Sequence, residues 1–162
     1  MSTLLPRRDR LSAVGRYLLA ILAGNLLWES AQLPLYTIWR DGSPGEIAFA
    51  ALHCTAGDFL IAALALFGAL VLLGGRQWPQ RRFHLVGAAA VAGGLAYTVF
   101  SEWLNTEIRG SWAYSAWMPQ LPVIGTGLAP LAQWIVVPTL GLLWARRAIR
   151  ESGGDPPRAA PA

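Results

Sequence analysis

Four long apolar stretches dominate this chain, each of the length that crosses a hydrocarbon core. A span takes about 20 mostly apolar residues in helical form. Stretches of that kind run from about Val14 to Trp39, Ile47 to Leu73, Leu85 to Asn105 and Ile124 to Ala145. The predicted fold is therefore an all-α integral membrane protein. The connections are short apart from an outer segment from about Thr106 to Val123, so residues 14–148 are expected to form one up-and-down bundle of four transmembrane helices. Residues 1–13 are read as a cytoplasmic amino-terminal segment, and residues 149–162, rich in Gly, Pro and Ala, as a disordered cytoplasmic tail. Composition agrees: 54% hydrophobic and 14% charged residues are too apolar for a soluble domain of this size.

Orientation follows from arginine, which supplies all 13 basic residues. Arg7, Arg8, Arg10 and Arg16 precede the first span, Arg76, Arg81 and Arg82 lie between the second and third, and Arg146, Arg147, Arg150 and Arg158 follow the fourth. Only Arg40 and Arg109 remain for the two other loops. Basic loop residues favour the cytoplasm, which puts both termini inside, in the cytoplasmic (inner) membrane of a bacterium. Arginines that flank spans also argue against a nucleic-acid partner; membrane lipid is the expected one. Trp39, Trp78, Trp103, Trp112, Trp117 and Trp144 fall near span ends, where amphipathic rings prefer the interface, while Trp28 and Trp134 are expected to pack between helices.

Several chemistries are set aside. The basic-then-apolar start resembles a signal peptide, but its apolar stretch contains Asn25, Glu29 and Gln32 and runs too long for an h-region. The single cysteine, Cys54, permits no internal disulfide and no thiol pair. His53 and His84 are expected at opposite membrane edges, which does not suit bis-histidine haem ligation. No Gly-x-Ser-x-Gly elbow, His-Glu-x-x-His helix or Walker loop occurs.

The informative residues are polar ones inside spans, because an ionisable side chain at a helix centre costs about 2.5 to 3.5 kcal/mol on translocon scales. They are Glu29, His53, Asp58 and Glu102, with Asn25, Gln32, Asn105 and Gln133 beside them. From the topology and the helical rise all four ionisable groups fall in the outer half, as for a cavity open to the periplasm and not for a proton wire. Asn25, Glu29 and Gln32 are spaced i, i+4, i+7, and so are Thr98, Glu102 and Asn105; each trio makes one stripe, a faint internal similarity between the first and third spans. His53 and Asp58 point about 140° apart, so they flank a pocket without touching.

Each residue has a structural alternative. Glu29 could be a protonated acid held by Asn25 or Gln32, Asp58 a helix bridge, His53 a neutral core residue, and Glu102 a solvated one; Asn105 and Gln133 suit helix-to-helix glue. The outer segment, with Trp112, Tyr114 and Trp117, is either an interfacial anchor or a lid.

Three functions remain open at this point. In the first, Asn25, Glu29, Gln32, His53, Asp58, Glu102, Asn105 and Gln133 bind or transport a cation or small polar ligand. Glu29, His53 and Asp58 would then be candidate ligands for a divalent transition metal such as Zn, Mn or Fe, and a homo-oligomer is expected because four helices are few for a transporter. The second is an intramembrane enzyme using Glu/His acid-base chemistry on a lipid or isoprenoid-like substrate, with Arg109 at an anionic head group. The third is an accessory subunit of a larger membrane complex.

Overall fold

A computed structural model describes residues 6–152 of the chain, with the side chains of 148–152 outside the description. The order of elements is α1 (Arg7–Gln32), a short α2 (Ile38–Asp41), α3 (Pro44–Leu73), α4 (Phe83–Trp103) and α5 (Leu128–Ser152). Four helical stretches are long and apolar enough to cross a membrane: Arg7–Leu35, Pro44–Leu73, Phe83–Ile108 and Leu128–Arg147. Their apolar residues face outward as freely as inward. Leu60, Leu64, Phe67, Val71 and Leu72 of α3 are all exposed, an apolar exterior that water would penalise and acyl chains would not.

The helices form a ring in which α1 packs on α3 and α5, and α4 packs on the same two. The core runs through Tyr17, Ile21, Ala62, Leu66, Val86, Ala90, Trp134 and Val137. Small residues set the approach of the helices, the kind of close backbone packing that membrane-spanning helices use. A Cβ on Gly24 of α1 would stand 2.7 Å from Val137 of α5, and one on Gly94 of α4 would collide with the Trp134 ring. Antiparallel order shows at one end of the bundle, where Arg16 of α1 lies over the Trp144 ring and Arg146 of α5 over Phe83 at the start of α4.

Helix ends have local causes. Ser43 and Glu46 make a reciprocal capping box at the start of α3, with Ser43 N donating to Glu46 Oε2 at 2.8 Å and Glu46 N to Ser43 Oγ at 3.3 Å. Arg82 donates to the carbonyl of Leu73 at the far end of α3.

Some boundaries differ from those the sequence suggests. The first helix begins at Arg7, so residues 7–13 belong to it, and it ends at Gln32, not near Trp39. Pro34 follows, in a 3-10 turn over Leu33–Leu35, because proline cannot continue the helical hydrogen bonding. The helix of the fourth span, α5, starts at Leu128, not Ile124, since Val123 and Gly125 adopt positive φ in a closed turn bridged by Gln120 and Gly127. It continues to Ser152, past the expected start of the tail; residues 153–162 lie outside the described residues. Trp78 is not an interfacial ring: it belongs to the loop that joins α3 to α4, and its ring is buried in the core.

Candidate ligand-binding cavity

The polar stripe of α1 turns inward. Asn25, Glu29 and Gln32 are all buried, as their i, i+4, i+7 spacing on one face requires. They meet Gln133, which α5 brings to the same level. Gln133 Nε2 donates toward three oxygens, Asn25 Oδ1 at 3.2 Å, Glu29 Oε1 at 2.9 Å and Asp58 Oδ2 at 2.8 Å. Gln32 Nε2 donates to Glu29 Oε1 at 3.0 Å and Gln133 Oε1 at 3.3 Å. Three helices, α1, α3 and α5, are thus tied by one buried amide. An amide nitrogen carries two hydrogens, so three acceptors share them and the centre is short of donors.

A second acidic centre lies on α4. Its stripe, Thr98, Glu102 and Asn105, occupies the corner of the ring diagonal to α1, with Thr98 and Glu102 buried. The Glu102 carboxyl accepts from the Tyr114 hydroxyl, whose oxygen in turn accepts from Gly127 N at 3.0 Å. The Trp112 indole N–H lies beside the same carboxyl without reaching hydrogen-bond geometry. After Trp103 the helix widens into a π turn over Leu104–Ile108, a rare feature that concentrates at functional sites. Asn105 donates to Ser101 O and Oγ within its own helix.

The outer segment is pinned across the end of the bundle. Thr37 N donates to Ala113 O at 3.0 Å and Ser115 N to Leu35 O at 2.9 Å, and the rings of Tyr36 and Tyr114 stand 5.5 Å apart. Met118 is buried under Gly127, where a Cβ would meet its sulfur at 2.9 Å. Burial raises the pKa of both Tyr36 and Tyr114, and the Glu102 carboxylate raises each further, so both phenols stay neutral and Tyr114 remains a donor.

Between these parts is a cavity of about 640 Å³. Seven of the eight candidate residues line it: Glu29, Gln32, His53, Asp58, Glu102, Asn105 and Gln133. Asn25 stands behind it, joined through Gln133. Apolar and aromatic walls come from Leu33, Tyr36, Phe49, Ile61, Tyr97, Trp112 and Trp134, and Glu46 and Arg109 line its loop end. No family model matches the chain, and comparison with curated proteins and with solved structures gives no match either.

The metal triad is not assembled. Among the described residues no group of three His, Cys, Asp or Glu side chains is placed to hold a metal ion. Glu29 and Asp58 converge, but His53 lies exposed and stacks on Phe49 one helical turn away, with centroids 5.3 Å apart. The cause is the five-residue step from His53 to Asp58, which turns the imidazole away from the carboxyl.

Tyr36, Trp112, Tyr114 and Trp134 complete the site. Only the aromatic content of the outer segment signals two of them in the sequence; Tyr36 carries no local signal.

Proposed function

We propose that the chain is a multi-pass protein of the bacterial inner membrane, with both termini cytoplasmic, that binds a small organic cation in a cavity in the outer half of the membrane. The observation that carries this reading is the convergence of Glu29 and Asp58 on Gln133 Nε2. Two carboxyls on one nitrogen repel each other when both are charged, and a positive charge between them relieves this. The rest of the lining agrees. Glu46 and Glu102 are also acidic, against Arg109 and His53, and aromatic rings supply faces that attract ammonium groups. The volume falls within the roughly 300–1,000 Å³ usual for small-molecule pockets.

The test is calorimetric titration of the purified protein in mild detergent with benzylammonium, a primary amine with one aromatic ring. Saturable binding is expected, weakened by Glu29→Gln and by Asp58→Asn. Absence of saturable heat, or equal binding by the double amide variant, overturns the reading.

Intramembrane acid-base catalysis is the second reading, favoured by one specific feature: the cavity holds two separate carboxyl centres, Glu29 with Asp58 and Glu102 with Tyr114. Turnover of bilayer lipid by the purified protein, lost in Glu102→Gln, would move the assignment to an enzyme. Assembly into a homo-oligomer or a larger membrane complex is compatible with both, and cross-linking in native membranes checks it.

A further inference from the structure

The cavity has a side as well as an end. Along α3, Phe49, His53 and Gly57 are four residues apart, form one ridge, line the cavity and are exposed. Tyr97 of α4 lines it from the opposite edge and is likewise exposed. A Cβ on Gly57 would meet nothing within 4 Å, so the ridge is open there. Further down, the two helices close up: a Cβ on Gly93 would stand 3.9 Å from Ala65. The opening between α3 and α4 is therefore confined to one half of the bundle. At the loop end the lining carries Arg109 as well as Glu46, so that end is not uniformly acidic, whereas the ridge and Tyr97 at the side carry no fixed positive charge.

The acidic centre also lacks donors. Gln32 is 6% exposed, and while its Nε2 serves Glu29 and Gln133, its Oε1 has no hydrogen-bond partner. Glu29 accepts from the Gln133 and Gln32 amides and Asp58 from Gln133 with the Trp134 indole beside it, while Gln32 Oε1 has no donor at all, so the centre suits a group bringing several N–H donors and a positive charge. A primary ammonium has three; a quaternary ammonium has none.

We propose that the cavity takes a single-chain amphiphile with a primary amine head group, entering from the bilayer between α3 and α4. Its ammonium sits at Glu29, Asp58 and Gln32, and its hydrocarbon tail leaves past Gly57 among the acyl chains. This rests on the cationic-ligand reading above and adds the ligand class and the route. Snorkelling long-chain cations place an apolar stem in hydrocarbon and the charge at a polar site in the same way.

The experiment uses the full chain in lipid nanodiscs and three amine probes, dodecylammonium, dodecyltrimethylammonium and benzylammonium, with dodecyl sulfate and dodecanol as controls. Dodecylammonium is expected to bind saturably and at least about tenfold tighter than its quaternary analogue, a difference of the size one lost set of charged hydrogen bonds produces. Gly57→Phe and Gly57→Leu fill the opening. Each is expected to lower the ratio of dodecylammonium to benzylammonium affinity by about tenfold, as for a blocked apolar channel. Both variants are used so that a folding defect in one, read from its melting temperature, leaves the other informative. Equal binding of primary and quaternary amines, an unchanged ratio in both Gly57 variants, or preference for dodecyl sulfate or dodecanol overturns the inference. If benzylammonium binds wild type while dodecylammonium gains nothing, the amphiphile route falls and the cationic reading stands. If no amine binds, both fall.

Discussion

Glu29 of α1 and Asp58 of α3 accept from one and the same nitrogen, Nε2 of Gln133 on α5, at 2.9 and 2.8 Å. The three side chains are therefore an energetic unit, and removing one member changes what the others are worth. Gln133→Leu takes away the amide from the buried Glu29 and the half-buried Asp58. A buried acceptor that loses its donor costs about 1–3 kcal/mol, so the variant is expected to melt at lower temperature in detergent by that order. Adding Asp58→Leu should restore part of the loss, because the second substitution removes one of the stranded acceptors. Strictly additive losses in the two single variants and the double would show that the amide does not couple these helices.

Much of this arrangement is legible in the chain because it follows from helical periodicity. Asn25, Glu29 and Gln32 share a face by arithmetic, and the cost of acids inside spans marks Glu29 and Asp58 for each other's company. His53 is legible in direction too: five residues from Asp58, it falls on the outside edge of the cavity, where a metal shared with Glu29 and Asp58 is out of reach. What periodicity does not encode is pairing between loops. Tyr36 and Tyr114 form a single antiparallel bridge between segments far apart in sequence. Their register depends on where Pro34 stops α1 and on the π turn after Trp103, neither of which has a hydrophobic pattern. Trp78 fails for a related reason, since position near a span end is shared by interfacial rings and by loop rings folded into the core.

Tyr114 closes the second acidic centre, and its alkaline titration reports on that closure. The ordinary tyrosine pKa is about 10, and burial followed by the Glu102 carboxylate raises that of Tyr114 in the folded protein. A group with a raised folded pKa contributes stability that is complete below the unfolded pKa and fades as pH climbs toward the folded one. The stability that Tyr114 supplies should thus persist through neutral pH and fade above about 10. Phenolate absorbance of the native protein should appear late, and Tyr114→Phe should remove part of that late amplitude while making the 109–127 segment more sensitive to protease. An unchanged late phase and unchanged cleavage would detach Tyr114 from the closure.

Gly94 holds the floor of the cavity in place. Its missing side chain lets the Trp134 ring lie across α4, and Trp134 lines the cavity beside Asp58. Gly94→Val should push the indole out of position at a cost of about 1–3 kcal/mol, the usual range for overpacking. Trp134→Leu in the same chain should recover most of it by making room. Intrinsic fluorescence and melting temperature read the two effects; a stable Gly94→Val protein with native emission would mean that the helices can part without strain.

Orientation can be tested at single residues. Ser43 lies at the start of α3 and Ala116 in the outer segment, both exposed at the end of the bundle that carries Arg40 and Arg109. Gln80 is exposed in the loop at the opposite end, with Arg76, Arg81 and Arg82. The proposed topology, which rests on the eleven-to-two division of arginines, puts the Gln80 end in the cytoplasm. Ser43→Cys and Ala116→Cys, each in a Cys54→Ala background, should react with impermeant thiol reagents in intact cells, and Gln80→Cys only after the membrane is permeabilised. The Cys54→Ala background matters because Cys54 lines the cavity and could itself react with a small reagent entering there. Labelling of the Gln80 position in intact cells, with Ser43 and Ala116 protected, would invert the topology and place the acidic cavity in the cytoplasmic half of the membrane.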